Sequence, residues 1–409
     1  MISRTKTKNS IKIPTMIKIK FSLIAVLYFL SFFSFAEDLL YIYKDAIQND
    51  PKFRAAEAEY RAQLEAKNQS IALFLPTISA SANYTDNNSE VTTTVNTPYE
   101  YTSNGYNLQL TQPLYRHENY IALKQADAQI SQAFAMFEYE KQDLIFRVAT
   151  QYFAVLAAND DNEFAIAERK SIKEQLTQTE QRFKAGLIAV TDVHEARSRY
   201  DQAVARAIVA ENTLAISHET LREITAKNYT ALALLSTKQP LLKPEPSDIN
   251  QWVKAANTQN TLLTASRKNV DVAITEVSRQ GAAHYPTLDL TASHSYTDYG
   301  NGNTFSQRKQ NGNSISVQLN IPLYQGGMVN SRTRAAAYRL TQAREKLEQQ
   351  KRATERQARN TYLSVIANIS QVKALKQALA SSSIALKATQ AGFEVGRRTA
   401  VDETVTISV

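Results

Sequence analysis

Residues 182–196 read RFKAGLIAVTDVHEA, and residues 392–406 read GFEVGRRTAVDETVT. Each follows a long run in which apolar positions step by three and four, and each breaks that pattern at a glycine, Gly186 or Gly396. After the first, helical periodicity resumes near Thr191 and continues to about residue 226, so the stretch is the tip of an antiparallel helical hairpin. Asp192 is placed to cap the returning helix. The run that leads into Gly186 starts near residue 117 and has no proline or glycine. Roughly 70 residues at ~1.5 Å each make on the order of 100 Å of helix. Leu144, Val148, Tyr152 and Leu156 form one apolar row along it.

Working outward from the tips, the rest of the chain also recurs. Pro76-Thr77 returns as Pro286-Thr287, Pro113-Leu114-Tyr115 as Pro322-Leu323-Tyr324, Tyr152 as Tyr362, Phe183 as Phe393 and Asp192 as Asp402. The offset stays near ~210 residues through strand, helix and turn, the mark of a tandem duplication. Between the helical parts the period changes to two. Ile78, Ala80, Ala82 and Tyr84 alternate with Ser79, Ser81 and Asn83; Leu288, Leu290, Ala292 and Tyr296 alternate with Asp289, Thr291, Ser293 and Ser295. The spacing predicts strands over about 76–86, 105–113, 286–297 and 313–322, with a long polar Asn/Thr/Ser connection in the first pair.

A helical stretch precedes each pair. The first, about 38–72, restarts at Pro51 after Asp50, with Asp as cap and Pro as first helical residue. The second ends near 281 and follows a turn-rich linker, 238–250. The first repeat is thus 37–237 and the second 251–409, with its long helix over about 328–395 and its tip at 395–402.

The +8 charge of the chain suggests a polyanionic partner until its location is read. Arg4, Lys6, Lys8, Lys12, Lys18 and Lys20 all precede the apolar run FSLIAVLYFLSFFSFA at 21–36. A basic segment, a short apolar run and a small-x-small end make a secretory signal cleaved after Ala36. The run is shorter than the ~20 residues of a spanning helix, and Met16 would serve as an alternative start. Removing the signal takes six of the eight net charges, and the remaining basic residues alternate with acids, so no nucleic-acid partner is expected. With no cysteine, disulfides and thiolate metal sites are excluded. His117, His194, His218, His284 and His294 are scattered without metal-ligand spacing, and Gly326-Gly327 lacks the lysine of a phosphate loop. No enzyme chemistry and no cofactor are expected.

Four alternating strands of about ten residues have the length of tilted transmembrane β-strands. Four cannot close a barrel, and an open edge in lipid leaves backbone groups unpaired, so several chains must contribute to one barrel. No Lys or Arg occupies the apolar parity of the expected strands, where each would cost ~2–4 kcal/mol at the bilayer midplane.

These residues resemble the TolC family of outer-membrane efflux ducts across nearly all of 37–402. The strand openings LPTISASANYT and YPTLDLTAS, the exits LQLTQPLY and LNIPLYQGGMVNS, and the tips RFKAGLIAVTDV and GFEVGRRTAVD carry the likeness. It implies a mainly α fold with transmembrane β: a homotrimer in which each chain gives four strands to a twelve-stranded outer-membrane barrel, continued into the periplasm by a tapering α-helical barrel. It implies a passive conduit for drugs or exported proteins, partnered by a periplasmic adaptor and an inner-membrane transporter that supplies the energy. It implies a gate at the tips, where Thr191 and Asp192 tether Arg398 and a tyrosine. Here that tyrosine is Phe393, which keeps the ring and loses the hydroxyl. Asp402 belongs to the same gate, and the acid expected three positions on is Val405. Gly186, Leu187 and Gly396 match the tip positions against which adaptor hairpins dock, although each glycine also suits a plain helix end.

A soluble periplasmic coiled-coil adaptor is the alternative; it would carry one hairpin and a compact β-domain rather than two tips and two strand pairs in register. By the duplication the second repeat would run to about residue 436, so its returning helix is expected to be missing. Residues 403–409 alternate like a strand and match nothing in the family. A frameshift or stop near codon 403, or a fragmentary gene model, is the expectation, together with a chain that does not assemble a working duct by itself.

Overall fold

The computed structural model describes residues 37–91, 97–236, 240–300 and 308–394. The order is α1 (Leu39–Asn49), α2 (Pro51–Ala72), β1 (Thr77–Val91), β2 (Thr97–Arg116), α3 (His117–Lys184), α4 (Val190–Thr225), α5 (Ile249–Gln259), α6 (Thr261–Gly281), β3 (Thr287–Tyr299), β4 (Arg308–Asn320) and α7 (Met328–Glu394). The duplication is visible element by element, since α5 and α6 repeat α1 and α2. Asp38 caps α1 by accepting from the Tyr41 amide at 2.7 Å, and Asp248 caps α5 by accepting from the Asn250 amide at 2.9 Å. Both short helices end at a polar residue whose own amide closes the last turn: Asp50 to Ala46 and Asn260 to Ala256. The next helix starts at once. The second helical stretch, read as continuous to 281, is therefore broken at Asn260, whose side chain also caps α6 by accepting from the Leu263 amide at 2.8 Å.

The long helices match their expected spans within a residue, at 68 residues for α3 and 67 for α7. Their buried rows are narrow. Leu144, Val148, Tyr152 and Leu156 are all at most 8% exposed. Along α7, Val329, Ala336 and Ala343 are buried at seven-residue spacing, the seam of a left-handed coil in which alanines let neighbouring backbones approach.

The strands form one sheet, ordered β1-β2-β3-β4 and antiparallel throughout, so the two repeats join at β2–β3. The expectation of a long polar loop in the first pair is corrected: pairing continues from Thr77↔Thr111 out to Val91↔Thr97. Along Asn87, Asn88, Ser89 and Glu90 the sequence no longer alternates, yet the ladder continues, so loss of alternation does not mark the end of the strand. The Pro113 signature produces a register shift between Pro113 and Tyr115, because proline lacks the ladder donor. Its counterpart Pro322 lies beyond β4, which stops at Asn320 and begins five residues earlier than expected. The Gly326-Gly327 pair has φ of 61° and 78° and turns the chain into α7.

Two compact units result. One holds α1, residues 145–184 of α3, and α4; the other holds α2, residues 117–144 of α3, the sheet and α5–α7. In the first unit α1 packs on α4, and Glu37 forms a parallel bridge with Leu232 through Glu37 N–H to Ala231 C=O and Ala233 N–H to Glu37 C=O. In the second, α7 packs on α5 and α6.

Candidate functional site

The first tip is built by a helix stop. Gly186 has φ of +73°; its amide donates to Phe183 C=O at 2.8 Å and the Leu187 amide reaches back to Arg182 C=O at 3.0 Å. These two bonds are a Schellman motif, which satisfies the last carbonyls of α3. Arg182 and Lys184 place positive charge at that helix end. A side chain added at Gly186 would meet nothing within 4 Å, so the glycine also leaves bare backbone on an open surface. Around it Phe183, Leu187 and Val190 are 41%, 71% and 49% exposed.

The cap assigned to Asp192 is corrected. Helix α4 begins at Val190 with Ala189 as its N-cap, and no side chain caps it. Asp192 lies in the first turn, where a carboxylate favours the positive end of the helix without replacing an orphan donor. Thr191 and Asp192 are both exposed. Gly186, Leu187, Thr191 and Asp192 are thus brought together on one turn. Phe393 falls in the last turn of α7, its side chain outside the description; Gly396, Arg398 and Asp402 lie outside the described residues, as does the tail 403–409.

The hairpin is fastened by ion pairs between its arms, Arg197–Glu180 at 3.0 Å and Arg206–Glu168 at 2.8 Å. Buried Ala203, Ala207, Ala158 and Ala165 allow close approach. The base of the first unit carries a polar cluster that sequence reading did not find. Buried Asp45 accepts from Lys227 Nζ at 2.7 Å and from the Tyr229 hydroxyl at 3.0 Å. Burial and the neighbouring carboxylate push the Tyr229 phenol up. The Glu37 carboxyl is also raised, first by burial and then by Asp45. Nearby, the Arg147 guanidinium faces the buried Asp50 carboxylate at 2.6 Å. Tyr152 and Tyr362, matched by the repeat, do the same work: each hydroxyl donates to a chain carbonyl at 2.5 Å, Ala233 for Tyr152 and Ser247 for Tyr362. The 210-residue match of these tyrosines was the signal available. In the second unit Glu276 accepts from Arg279, Gln280 and Gln125, and its carboxyl is lowered to about 2 by these donors, Arg279 first.

Two of the histidines make contacts within the second unit. His117 stacks on Tyr285 with ring centroids 4.3 Å apart, and His284 lies 3.1 Å from Asn330.

A duplicated chain with a four-stranded sheet and helices of nearly seventy residues meets a known pattern: the family described as outer membrane efflux protein matches residues 42–227 and 252–407. The chain belongs to that family. It is similar to outer membrane protein TolC of Vibrio cholerae, 36% identical over 369 residues that cover 90% of this chain and 83% of the relative. It is also similar to the alkaline protease secretion protein AprF of Pseudomonas aeruginosa, 29% identical over 376 residues, 90% and 78% of the two chains. Among solved structures, the Campylobacter jejuni CmeC outer membrane channel shares the fold with a TM-score of 0.72 over 91% of this chain and 79% of that one, at 14% identity. The chain is an outer-membrane exit duct of the efflux and type I secretion kind, reaching into the periplasm. The adaptor alternative is set aside. The family match runs to residue 407, which corrects the reading that residues beyond Asp402 match nothing in the family.

Proposed function

We propose that three copies of this chain form the duct, each giving β1–β4 to a twelve-stranded barrel and its long helices to a periplasmic tunnel. The observation that carries this is the sheet itself. Its edges, β1 and β4, are open within the chain, and its apolar rows are exposed, with Ile78 at 75%, Ile315 at 81% and Val317 at 62%. In lipid an open edge costs several kcal/mol per unpaired group, so β1 of one copy pairs with β4 of the next. Residues 1–36 act as the export signal, and the two repeats occupy 37–237 and 251–409 around the linker 238–250.

In this reading the duct is passive and has no catalytic role; a periplasmic adaptor and an inner-membrane transporter complete the pump. Gly186, Leu187 and Gly396 receive the adaptor, supported by the open backbone and exposed apolar side chains of the first tip. Thr191, Asp192, Phe393, Arg398 and Asp402 form the gate, which works without the tyrosine hydroxyl. Because the chain has no cysteine, cysteines introduced singly along β1 and β4 report neighbours cleanly. The expected result is β1-to-β4 disulfides between copies and a ladder of linked species ending at three. A ladder ending at two, or links only within a copy, would overturn the assembly.

A further inference from the structure

On the apolar parity of β4, successive residues from the open end of the sheet are Lys309, Asn311, Asn313, Ile315, Val317 and Leu319. A cation, then two amides, then aliphatic residues occupy one column. With Ile321 just beyond the strand, the aliphatic part spans the six residue steps from 315 to 321. At ~3.4 Å per residue and a ~40° tilt this is about 15 Å of membrane depth, short of the ~25 Å apolar band of outer-membrane barrels. The first repeat does not stop there. Ile315 stands in register with Ala292, Leu110 and Ile78, but the next row sets Asn313 beside His294 while Leu108 and Ala80 continue the apolar face.

The polar residues in that upper zone are organised. His294 Nδ1 lies 2.6 Å from Asn313 Oδ1 and its Nε2 lies 3.3 Å from the Tyr106 hydroxyl. Tyr106 stacks on Tyr296 with centroids 5.6 Å apart and planes at 23°. Beyond them the side chain of Lys309 is 63% exposed, its ammonium 3.9 Å from Asp298. That exceeds hydrogen-bond length and leaves the ammonium donors available to a ligand.

We infer that this column is a binding site for a phosphorylated glycolipid of the outer leaflet: acyl chains on Ile315, Val317 and Leu319, sugars on Asn311, Asn313 and the tyrosine pair, phosphate on Lys309. The order of chemistries selects the ligand. A phosphodiester lipid sets its charge directly above its acyl chains, whereas here an uncharged, hydrogen-bonding layer of about 10 Å separates the aliphatic level from the cation. Sugars joined to acyl chains fill such a layer with hydroxyls, and their flat faces suit stacked aromatics. Among the described residues beside Lys309, Asp298 is unfavourable to phosphate, and its separation of 3.9 Å from the ammonium places it beside the site.

This rests on the proposed barrel, and the experiment separates the two. The full channel, stripped of lipid, is titrated with lipid A, dephosphorylated lipid A or phosphatidylglycerol and followed by native mass spectrometry. Lipid A should bind saturably and about tenfold tighter than phosphatidylglycerol. Asn311→Leu with Asn313→Leu should erase that preference, Lys309→Met should erase the difference between the two forms of lipid A, and Gln318→Ala on the opposite face should change neither. Failure of the wild-type chain to reach the outer-membrane fraction would defeat the barrel reading. A channel that inserts normally and holds the three lipids equally, or a double variant with undiminished preference, overturns the glycolipid site alone. If the double variant does not insert, Lys309→Met at the exposed strand end decides.

Discussion

The break between the first two helices of each repeat has the same backbone and different chemistry. In the first repeat the residue at the break is Asp50, buried, with the Arg147 guanidinium at 2.6 Å. In the second the corresponding residues are Asn260 and Gln357, and Asn260 uses its side chain to cap α6. Buried Asp45, held by Lys227 and Tyr229, corresponds in the same way to Ala255. Glu276, the centre of a four-residue network, corresponds to Ala66. Helix stops and apolar spacing dictate the path of the chain in both halves, while the polar fastenings were chosen separately in each.

The largest effect should come from breaking the charged version. Arg147→Gln copies one half of the second repeat's pair and leaves a carboxylate, only 4% exposed in its side chain, facing a neutral amide. The cost should be about 3 kcal/mol, read as lost hydrogen-exchange protection over α1 and residues 145–156. Adding Asp50→Asn completes the copy and should recover all but about 1 kcal/mol, since the new amide can cap α2 as Asn260 caps α6. A double variant no better than the single would show that the two breaks are not interchangeable.

Next in size is a pH effect confined to the second repeat. Glu276 is lowered from its ordinary 4.5 to about 2 in the folded chain by Arg279, Gln280 and Gln125. A depressed carboxyl stabilises fully above its unfolded value, so the contribution is present above pH ~4.5 and lost as pH falls toward ~2. It should amount to no more than about 2 kcal/mol after allowing for solvent. Urea unfolding of Glu276→Gln beside the parent between about pH 6 and about pH 3 checks this: the difference should shrink as the medium becomes acid, and a constant difference would reject the assignment.

The paired tyrosines test the features the repeats share. Tyr152 is 4% exposed and Tyr362 only half-buried, yet both donate to a carbonyl between the two repeats' helices, Ala233 near the end of the first repeat and Ser247 in the linker. Tyr152→Phe should cost about 1.5 kcal/mol and Tyr362→Phe about 0.5 kcal/mol, measured as shifts in the rate of limited proteolysis near Ala233 and Ser247. Equal losses would mean that burial does not set the value of this bond.

What could be read from the sequence divides along similar lines. Long helices, their row through Leu144, Val148, Tyr152 and Leu156, and the turn at Gly186 follow from periodicity and from residues with special backbone freedom, both local and repeated. The outer ends of β1 and β2 were hidden because the signal read there was alternation, and Asn87, Asn88, Ser89 and Glu90 do not alternate although their backbones stay paired. The Asp45–Lys227–Tyr229 cluster was hidden for another reason: its members are 182 and 184 residues apart, and nothing in a local pattern joins them. Asp192 was misread because a good capping residue near a helix start competes with turn geometry, and the Schellman stop at Gly186 lets the chain re-enter at Val190 before Asp192 is reached.

A stability effect of similar size belongs to the tip, where it separates two uses of one glycine. Gly186 has a left-handed backbone, φ +73°, and open space where a side chain would be. Gly186→Ala should therefore cost about 1 kcal/mol of backbone strain with no clash, seen as faster exchange of the amide at 187. Gly186→Asn should cost less, because asparagine tolerates this conformation. If the glycine serves only to end α3, efflux should follow stability, with the asparagine variant near the parent and the alanine variant slightly impaired. If a partner hairpin docks on bare backbone, any side chain obstructs it, and both variants should lose adaptor crosslinking at Leu187 to a similar degree despite their different strain. The asparagine variant decides between them, since it is the one whose fold and whose surface are changed by different amounts.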